Sequence, residues 1–144
     1  MANMVKIIDG TGLIFGRLAT RVAKMALAGE EIKIVNSEKV VISGSQETVL
    51  AKWKQRKGRT TPRWGPFISI MPDRILRRAI YGMLPHKIKT EKSRGIAAFK
   101  RIMCYVSVPE DLKNQKFETI KEANSDKLKT HYIALETLSK LLKG

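Results

Sequence analysis

The sequence predicts an α/β fold, because short apolar segments alternate with longer segments of helical periodicity. The apolar segments are rich in Val and Ile, as in strands that are buried on both faces, and they span residues 5–8, 32–35 and 40–43. Between the first two lies a predicted helix at 16–28, which places apolar side chains on one face. A strand, a crossover helix and a second strand in this order are typical of a parallel strand pair.

The third predicted strand follows the second after a very short link, residues 36–39. A parallel neighbour needs a crossover of about a dozen residues or more, so this link is predicted to be a turn between antiparallel strands or one bent excursion of the chain. The sheet is therefore predicted to be mixed. A last strand is predicted over 104–108, where the sequence is apolar again.

Capping residues and apolar spacing predict further helices. One follows Ser43 or Ser45, and another covers 90–101, capped by its first residue, Thr90. Gly95 lowers the stability of that helix by roughly 1 kcal/mol relative to Ala. A glycine at this position therefore indicates that the backbone closely approaches a neighbouring segment. A closing helix is predicted over 136–143, and its Leu stripe is interpreted as core cover rather than as a partner site.

The helix predicted to begin at Pro72 has two distinct faces. Its buried stripe is predicted to consist of Ile75, Leu76, Ala79, Ile80 and Met83. On the opposite face, the spacing i, i+3, i+4, i+7 brings together Arg74, Arg77, Arg78 and Tyr81. Guanidinium groups at this spacing suit repeated phosphate contacts, since each offers a planar fork to a phosphate.

Length and composition predict one domain over residues 1–144, because 43% of the residues are apolar and can form a core. A single cysteine, Cys104, permits neither an internal disulfide nor a cysteine-based zinc site, which is typical of a reducing cytoplasm. No apolar run approaches the ~18 residues of a membrane span, and the first residues lack a secretory pattern. Met1 and Met4 are both plausible starts.

The positive charge of the chain is concentrated in its middle third. The formal net charge is +15, from 28 Lys and Arg against 13 Asp and Glu. Residues 52–101 hold fifteen of these cations and only two acids, Asp73 and Glu91. Aromatic and aliphatic residues are interleaved with the charges, so the block is predicted to be folded rather than a disordered tail or a membrane-surface helix. A nucleic acid is the expected partner.

The loop over 58–66 belongs to this block, because its Gly and Pro content rules out a regular element and it carries two Arg and a Trp. No zinc-finger spacing, zipper register or aromatic RNA-recognition sequence is present, so we expect backbone-dominated recognition of a shaped RNA. The predicted RNA contacts are Lys52, Lys54, Arg56, Lys57, Arg59, Arg63, Trp64, Arg74, Arg77, Arg78, His86, Lys87, Lys89, Lys92, Arg94, Lys100 and Arg101.

Catalysis finds little support in the sequence. The Gly-rich segment Gly10–Gly16 has the spacing G-x-G-x-x-x-G and lacks the Lys-Ser/Thr of a phosphate-binding loop, so a tight strand-to-helix turn is the simpler reading. His86 and His131 lie in different segments, and the acids form no magnesium cluster in the basic block. The chain is therefore predicted not to be an enzyme and to have no cofactor or metal. There are two alternatives: a small nucleotide-binding protein, and a free RNA chaperone or translational regulator.

Three segments resemble the universal large-subunit ribosomal protein thirteen family in sequence, order and spacing. They are DGTGLIFGRLA at 9–19, VNSEKVVISG at 35–44 and GMLPHK at 82–87. The pair Arg94-Gly95 and the segment 98–102 also resemble the family, so the resemblance covers 4–109. The lack of a bacterial-type N-terminal extension and the short part after Pro109 resemble archaeal members.

The resemblance implies a three-layer α/β/α fold around a four-stranded, mostly parallel sheet, whereas the link at 36–39 favours a mixed one. It also implies a structural constituent of the large ribosomal subunit that binds and stabilises large-subunit rRNA early in assembly, in the cytoplasm. The implied partners are this rRNA and neighbouring ribosomal proteins, with no membrane and no small-molecule substrate. The Gly-Met-Leu-Pro motif of the family maps to Gly82–Pro85, and its basic loop maps to His86–Arg94.

Overall fold

A computed structural model describes residues 4–85 and 93–144 of the chain, and in this part it shows the predicted α/β fold. In chain order the helices and strands are β1 (Val5–Asp9), α1 (Phe15–Leu27), β2 (Glu31–Val35), β3 (Val41–Ser43), α2 (Gln46–Gly58), α3 (Pro72–Gly82), α4 (Arg94–Lys100), β4 (Ile102–Cys104), β5 (Tyr132–Ala134) and α5 (Leu135–Lys143). No helix in these two ranges is both long and apolar enough to cross a bilayer.

The main sheet is parallel and has the order β1-β2-β4. β1 pairs with β2 from Val5 opposite Glu31 to Asp9 opposite Val35. α1 connects these two strands, so the predicted strand, crossover helix and parallel strand are confirmed. β4 adds to the other side of β2, where Ile102 lies opposite Ile32. The centre of this sheet is therefore the buried β2.

β3 does not join the parallel β1-β2-β4 sheet, so the expected four-stranded sheet is not confirmed, and the antiparallel pairing expected beside β2 lies in a separate two-stranded sheet. The link after β2 turns sharply, since Asn36 has a left-handed φ of 54° and a 3-10 turn follows at Ser37–Lys39. This is the bent excursion that the short link allowed. β3 then pairs antiparallel with β5, from the C-terminal segment that had no predicted strand. The layer count stays a prediction.

The ends of several elements depend on local hydrogen bonds. The Ser45 side chain accepts a 3.4 Å hydrogen bond from the Thr48 amide, so Ser45 rather than Ser43 caps α2. Ser93 caps α4 by accepting from the Ile96 amide at 3.3 Å, whereas the predicted cap Thr90 lies outside the described residues. Ser45 and Ser93 thus satisfy helix amides that have no partner within the helix.

The last strand of the parallel sheet differs from its prediction at both ends. It was expected over 104–108, but β4 begins at Ile102 and ends at Cys104. The Tyr105 amide still donates to the Ile34 carbonyl at 2.8 Å, and Ser107, with a φ of 60°, then bends the chain away from the sheet. The apolar run is therefore longer than the segment that pairs with β2.

One hydrophobic cluster contains residues from both ends of the described chain, from Ile8 to Leu142. α1 buries Leu18, Val22 and its alanines in this cluster, and α5 buries Leu135, Leu138 and Leu142. The interpretation of the C-terminal Leu stripe as core cover is confirmed. The core lies under α3 as well, which contributes Ile75, Leu76 and Ile80.

Candidate nucleic-acid interface

α3 separates an apolar face from a basic one, as its sequence predicts. Arg74 and Arg78 are exposed on the side away from the core, and Arg77 is half-buried between them. Pro72 occupies the first turn of the helix, where its missing amide hydrogen costs nothing. Met83 is an exception, because it lies just beyond the helix end and is 45% exposed instead of buried.

A depression of about 350 Å³ lies on the basic face of α3, lined by Arg74, Arg77, Arg78, Tyr81 and Phe99. Phe99 belongs to α4, so two helices form this site. The ring centroids of Tyr81 and Phe99 are 4.9 Å apart with an interplanar angle of 66°, an edge-to-face contact. An aromatic floor with guanidinium groups around it can accept both a flat apolar ring and an anion. We call this depression the α3–α4 pocket.

Arg77 is held in place at the α3–α4 pocket by the fold itself. Its Nε donates a 3.1 Å hydrogen bond to the backbone carbonyl of Ile102 in β4. Its guanidinium carbon lies 4.1 Å from the Phe99 ring centroid, a cation–π contact. Because one edge of the guanidinium is fixed, the remaining amino groups have a defined direction and lose little entropy on binding an anion.

A second depression, of about 280 Å³, lies on the other side of Arg78 and connects α3 to α2. Its lining includes Trp53 and Arg56 of α2 together with Arg78 and Ile75 of α3. The Arg56 guanidinium lies 5.1 Å from the Trp53 ring centroid. Arg78 lines both depressions, so the basic sides of α2, α3 and α4 form one continuous surface, which we call the α2–α3–α4 surface.

Among the described members of the predicted set, three donate side-chain hydrogen bonds to backbone carbonyls of the protein. Besides Arg77, Lys57 donates from Nζ to the Leu142 carbonyl at 2.7 Å, near the C-terminal end of α5. Arg101 donates from Nη1 to the Ala26 carbonyl at 3.1 Å, near the end of α1. Lys57 and Arg101 thus lie at the carbonyl ends of helices, which is a stabilising role in addition to any contact with RNA.

The other described members of the predicted set are exposed to solvent. They are Lys52, Lys54, Arg56, Arg59, Arg63, Trp64, Arg74, Arg78, Arg94 and Lys100. Arg59, Arg63 and Trp64 lie in the loop between α2 and α3, and Trp64 is 85% exposed. His86, Lys87, Lys89 and Lys92 lie outside the described residues, so their role remains a prediction.

Among the residues that the structure describes, no acidic side chain forms an ion pair with a cation of 52–101. The ion pairs among residues 4–85 and 93–144 are Lys6–Glu30, Arg21–Glu122 and Lys140–Glu136, and all lie outside 52–101. Asp73, the acid at the start of α3, has a buried Oδ1 without a hydrogen-bond partner in this part of the chain. The exposed cations of the α2–α3–α4 surface therefore have no acidic counterion among the described residues.

Sequence reasoning missed two residues of the α3–α4 pocket. Tyr81 was placed on the basic face by its spacing but was not proposed as a contact. Phe99, in the helix predicted over 90–101, was not proposed as a contact either; it is half-buried and lines the pocket. Helical spacing indicates which residues share one helix face, but Phe99 comes from a different helix.

In the Gly-rich turn after β1, backbone amides already donate hydrogen bonds to carbonyl groups of the protein. The amides of Gly10, Gly12 and Ile14 donate to the carbonyls of residues 35, 39 and 123 at 2.9, 3.2 and 2.7 Å. A Cβ on Gly10 would lie 2.9 Å from a Val40 methyl group, so the glycine permits close packing. Amides that are already bonded cannot cradle a phosphate, which supports the reading as a tight turn.

Asp9 is hydrogen-bonded within the fold and Cys104 is buried, so both residues have structural rather than chemical roles. Burial alone would raise the pKa of the Asp9 carboxyl, but hydrogen bonds from the Thr11 hydroxyl and amide and from Asn36 lower it. Burial raises the pKa of the Cys104 thiol to about 12, so the thiol is protonated at neutral pH and unreactive. No cluster of three or more His, Cys, Asp or Glu side chains in the two described ranges could hold a metal ion.

Comparison with known proteins agrees with these observations. The family described as ribosomal protein L13 matches residues 3–111. Large ribosomal subunit protein uL13 of Methanosphaera stadtmanae is 43% identical over 143 residues, covering 96% of this chain and 97% of the relative. The protein of the same name from Methanosarcina barkeri is 46% identical over 92% of this chain and 94% of its own. That of Picrophilus torridus is 43% identical, with 94% of both chains covered.

These similarities extend over almost the whole chain, including the part after Pro109 that carried little signal by itself. The relatives are archaeal, as the sequence resemblance implied, and each is named as a protein of the large ribosomal subunit. The predictions of a non-catalytic protein and of its location are confirmed by this relationship. The chain belongs to the ribosomal protein L13 family of the large ribosomal subunit.

Proposed function

We propose that the chain binds and stabilises large-subunit rRNA through the α2–α3–α4 surface, as one domain over residues 1–144. The observation that carries this proposal is the lack of acidic partners for the described cations of 52–101, although the same fold pairs cations with acids elsewhere. Unpaired positive charge on one connected surface costs stability unless a polyanion lies against it. A folded RNA offers phosphates at the density that such a surface can neutralise.

Contacts to the RNA backbone account for the residue types on this surface. Arg74 and Arg78 are exposed on one helix face, where planar forks can each bind a phosphate. Lys52, Lys54 and Arg56 extend the same charge along α2. Backbone contacts set the position of the protein and depend on the shape of the RNA rather than on its sequence.

The salt dependence of binding tests the proposal. If about six phosphates are neutralised, the logarithm of the affinity for large-subunit rRNA falls with the logarithm of the salt concentration with a slope of roughly −4 to −5. The double substitution Arg74→Gln and Arg78→Gln makes this slope less negative by about 2. Filter binding over a range of KCl concentrations measures both values.

The matched control changes the charge equally at a distance from the surface. Lys113 and Lys129 are exposed in the C-terminal segment, so Lys113→Gln with Lys129→Gln removes two charges outside residues 52–101. This control is expected to leave the slope within experimental error of the wild type. A wild-type slope near zero, or an equal effect of both double variants, contradicts the proposal.

We further propose that the chain joins the large subunit early in assembly, together with neighbouring ribosomal proteins. Charge neutralisation supports this timing, because phosphates of converging RNA helices repel one another until cations are bound. Sucrose-gradient sedimentation of pulse-labelled cell lysate is the test. The chain is expected in precursor particles and then in large subunits; accumulation in the ribosome-free fraction instead favours the chaperone or regulator alternative.

A further inference from the structure

The α3–α4 pocket has features that backbone binding does not require. Phosphate contacts need exposed cations, and the exposed Arg74 and Arg78 already provide them. The pocket adds an aromatic floor, in which Tyr81 meets Phe99 edge to face at a centroid distance of 4.9 Å. Tyr81 is 38% exposed, so its ring is accessible from solvent.

The orientation of the Arg77 guanidinium in the pocket is fixed by two contacts. Its hydrogen bond to the Ile102 carbonyl and its contact with the Phe99 ring fix the guanidinium beside Phe99. Among the described residues, that carbonyl is the only hydrogen-bond partner of Arg77. Arg74 and Arg78, both exposed, line the same depression. The site therefore combines a flat apolar surface with cations on several sides.

We propose that the α3–α4 pocket binds one unpaired nucleotide of the RNA, with its base stacked against Tyr81 and its phosphate bound by the arginines. Bases turned out of bulges and loops stack on aromatic side chains and on arginine planes, whereas bases inside a duplex are inaccessible to such contacts. A pocket of about 350 Å³ with this lining fits a base and its phosphate better than it fits a continuous duplex backbone.

This inference rests on the proposed function, because it names the kind of RNA element that the same surface binds. It commits to a nucleotide of RNA, since the pocket is continuous with the α2–α3–α4 surface through Arg78. It adds a difference between paired and unpaired RNA that phosphate neutralisation alone does not produce. The proposal of rRNA binding and the proposal of a nucleotide pocket can therefore be refuted independently.

The test compares a short blunt RNA duplex with the same duplex carrying one bulged adenosine, using the full-length chain. Wild-type protein is expected to bind the bulged RNA about tenfold more tightly, as typical of one base stacked on an aromatic ring. Tyr81→Leu keeps an apolar side chain but removes the ring, and it is expected to reduce the ratio to nearly one. Tyr81→Phe keeps the ring and the preference.

A matched control variant and a second measurement distinguish the loss of base stacking from a folding defect. Tyr132 is 56% exposed in β5, outside the pocket, so Tyr132→Leu is expected to leave the ratio unchanged. A fluorescent adenine analogue at the bulge reports stacking directly, and its emission should be quenched by wild-type protein and by Tyr81→Phe.

Equal binding of both RNAs by the wild type, or a preference that Tyr81→Leu retains, overturns the nucleotide pocket. If the salt slope stays steep in that case, the proposed rRNA binding survives. A shallow slope together with equal binding rejects both proposals.

Discussion

Gly95 shows how a single residue sets the packing of α4 on the chain before it. An ideal Cβ at this position would lie 3.0 Å from the carbonyl carbon of Pro85 and closer still to its oxygen. The sequence indicated a close approach here, because a glycine inside a helix otherwise lowers stability. The structure confirms that approach and identifies Pro85, the last residue of the Gly-Met-Leu-Pro motif, as the neighbour.

We therefore expect Gly95→Ala to destabilise the fold by about 1–3 kcal/mol, the usual cost of forcing extra volume into a packed site. The better helix propensity of alanine, roughly 1 kcal/mol, only partly offsets this cost. Urea unfolding followed by circular dichroism measures the difference in the free energy of unfolding.

Gly16→Ala is the control, since Gly16 lies in α1 with nothing within 4 Å of the position of a Cβ. This variant should have the same stability as the wild type or a slightly higher one. Equal stability of both variants would show that Pro85 can move aside.

At the scale of elements, local patterns predicted the helices and the parallel pairing of β1 with β2, but not the partner of β3. α1, α3 and α5 lie within a residue or two of their expected bounds, because each has an apolar stripe of helical period and a recognisable start or end. The pairing of β3 with β5 joins residues 41–43 to residues 132–134. A pairing between segments so far apart leaves no mark in the local periodicity of either strand.

α5 depends on a cation from α2, and this contact gives a prediction. We expect Lys57→Met to lower the free energy of unfolding by about 1 kcal/mol, because the Leu142 carbonyl loses a charged donor near the helix C-terminus. Methionine keeps the apolar length of the side chain. Lys54→Met, at an exposed position of the same helix, is the control and should leave stability nearly unchanged.

Thermal or urea unfolding of both variants separates the two roles of Lys57. A loss of stability in Lys57→Met alone supports a structural contact. Equal stability of the two variants, with equally weakened RNA binding, would instead place Lys57 with the cations that contact RNA only.

For the whole molecule, the net charge of +15 is the dominant electrostatic feature. Most of the excess lies in one third of the chain, so repulsion within the isolated protein opposes folding. We expect the urea midpoint of the RNA-free chain to rise between about 0.1 M and about 1 M NaCl, as the Debye length falls from about 10 Å to about 3 Å.

The variant Arg74→Gln with Arg78→Gln should show a smaller rise with salt and a higher midpoint at low salt, although it binds RNA less tightly. Circular dichroism at several salt concentrations measures this. A midpoint that falls with salt would mean that attractive ion pairs outweigh repulsion in the isolated fold.

The amino-acid sequence alone determined the α/β class, the helices, the family and the region of excess positive charge, because these depend on composition, local periodicity and motif spacing. Only the tertiary structure decided that β3 pairs with β5 and that Arg77, Arg101 and Lys57 bind backbone carbonyls. It also decided that Phe99 lines a pocket with Tyr81. Each of these depends on which distant segments come together, and that is set by the packing of the whole core rather than by neighbouring residues.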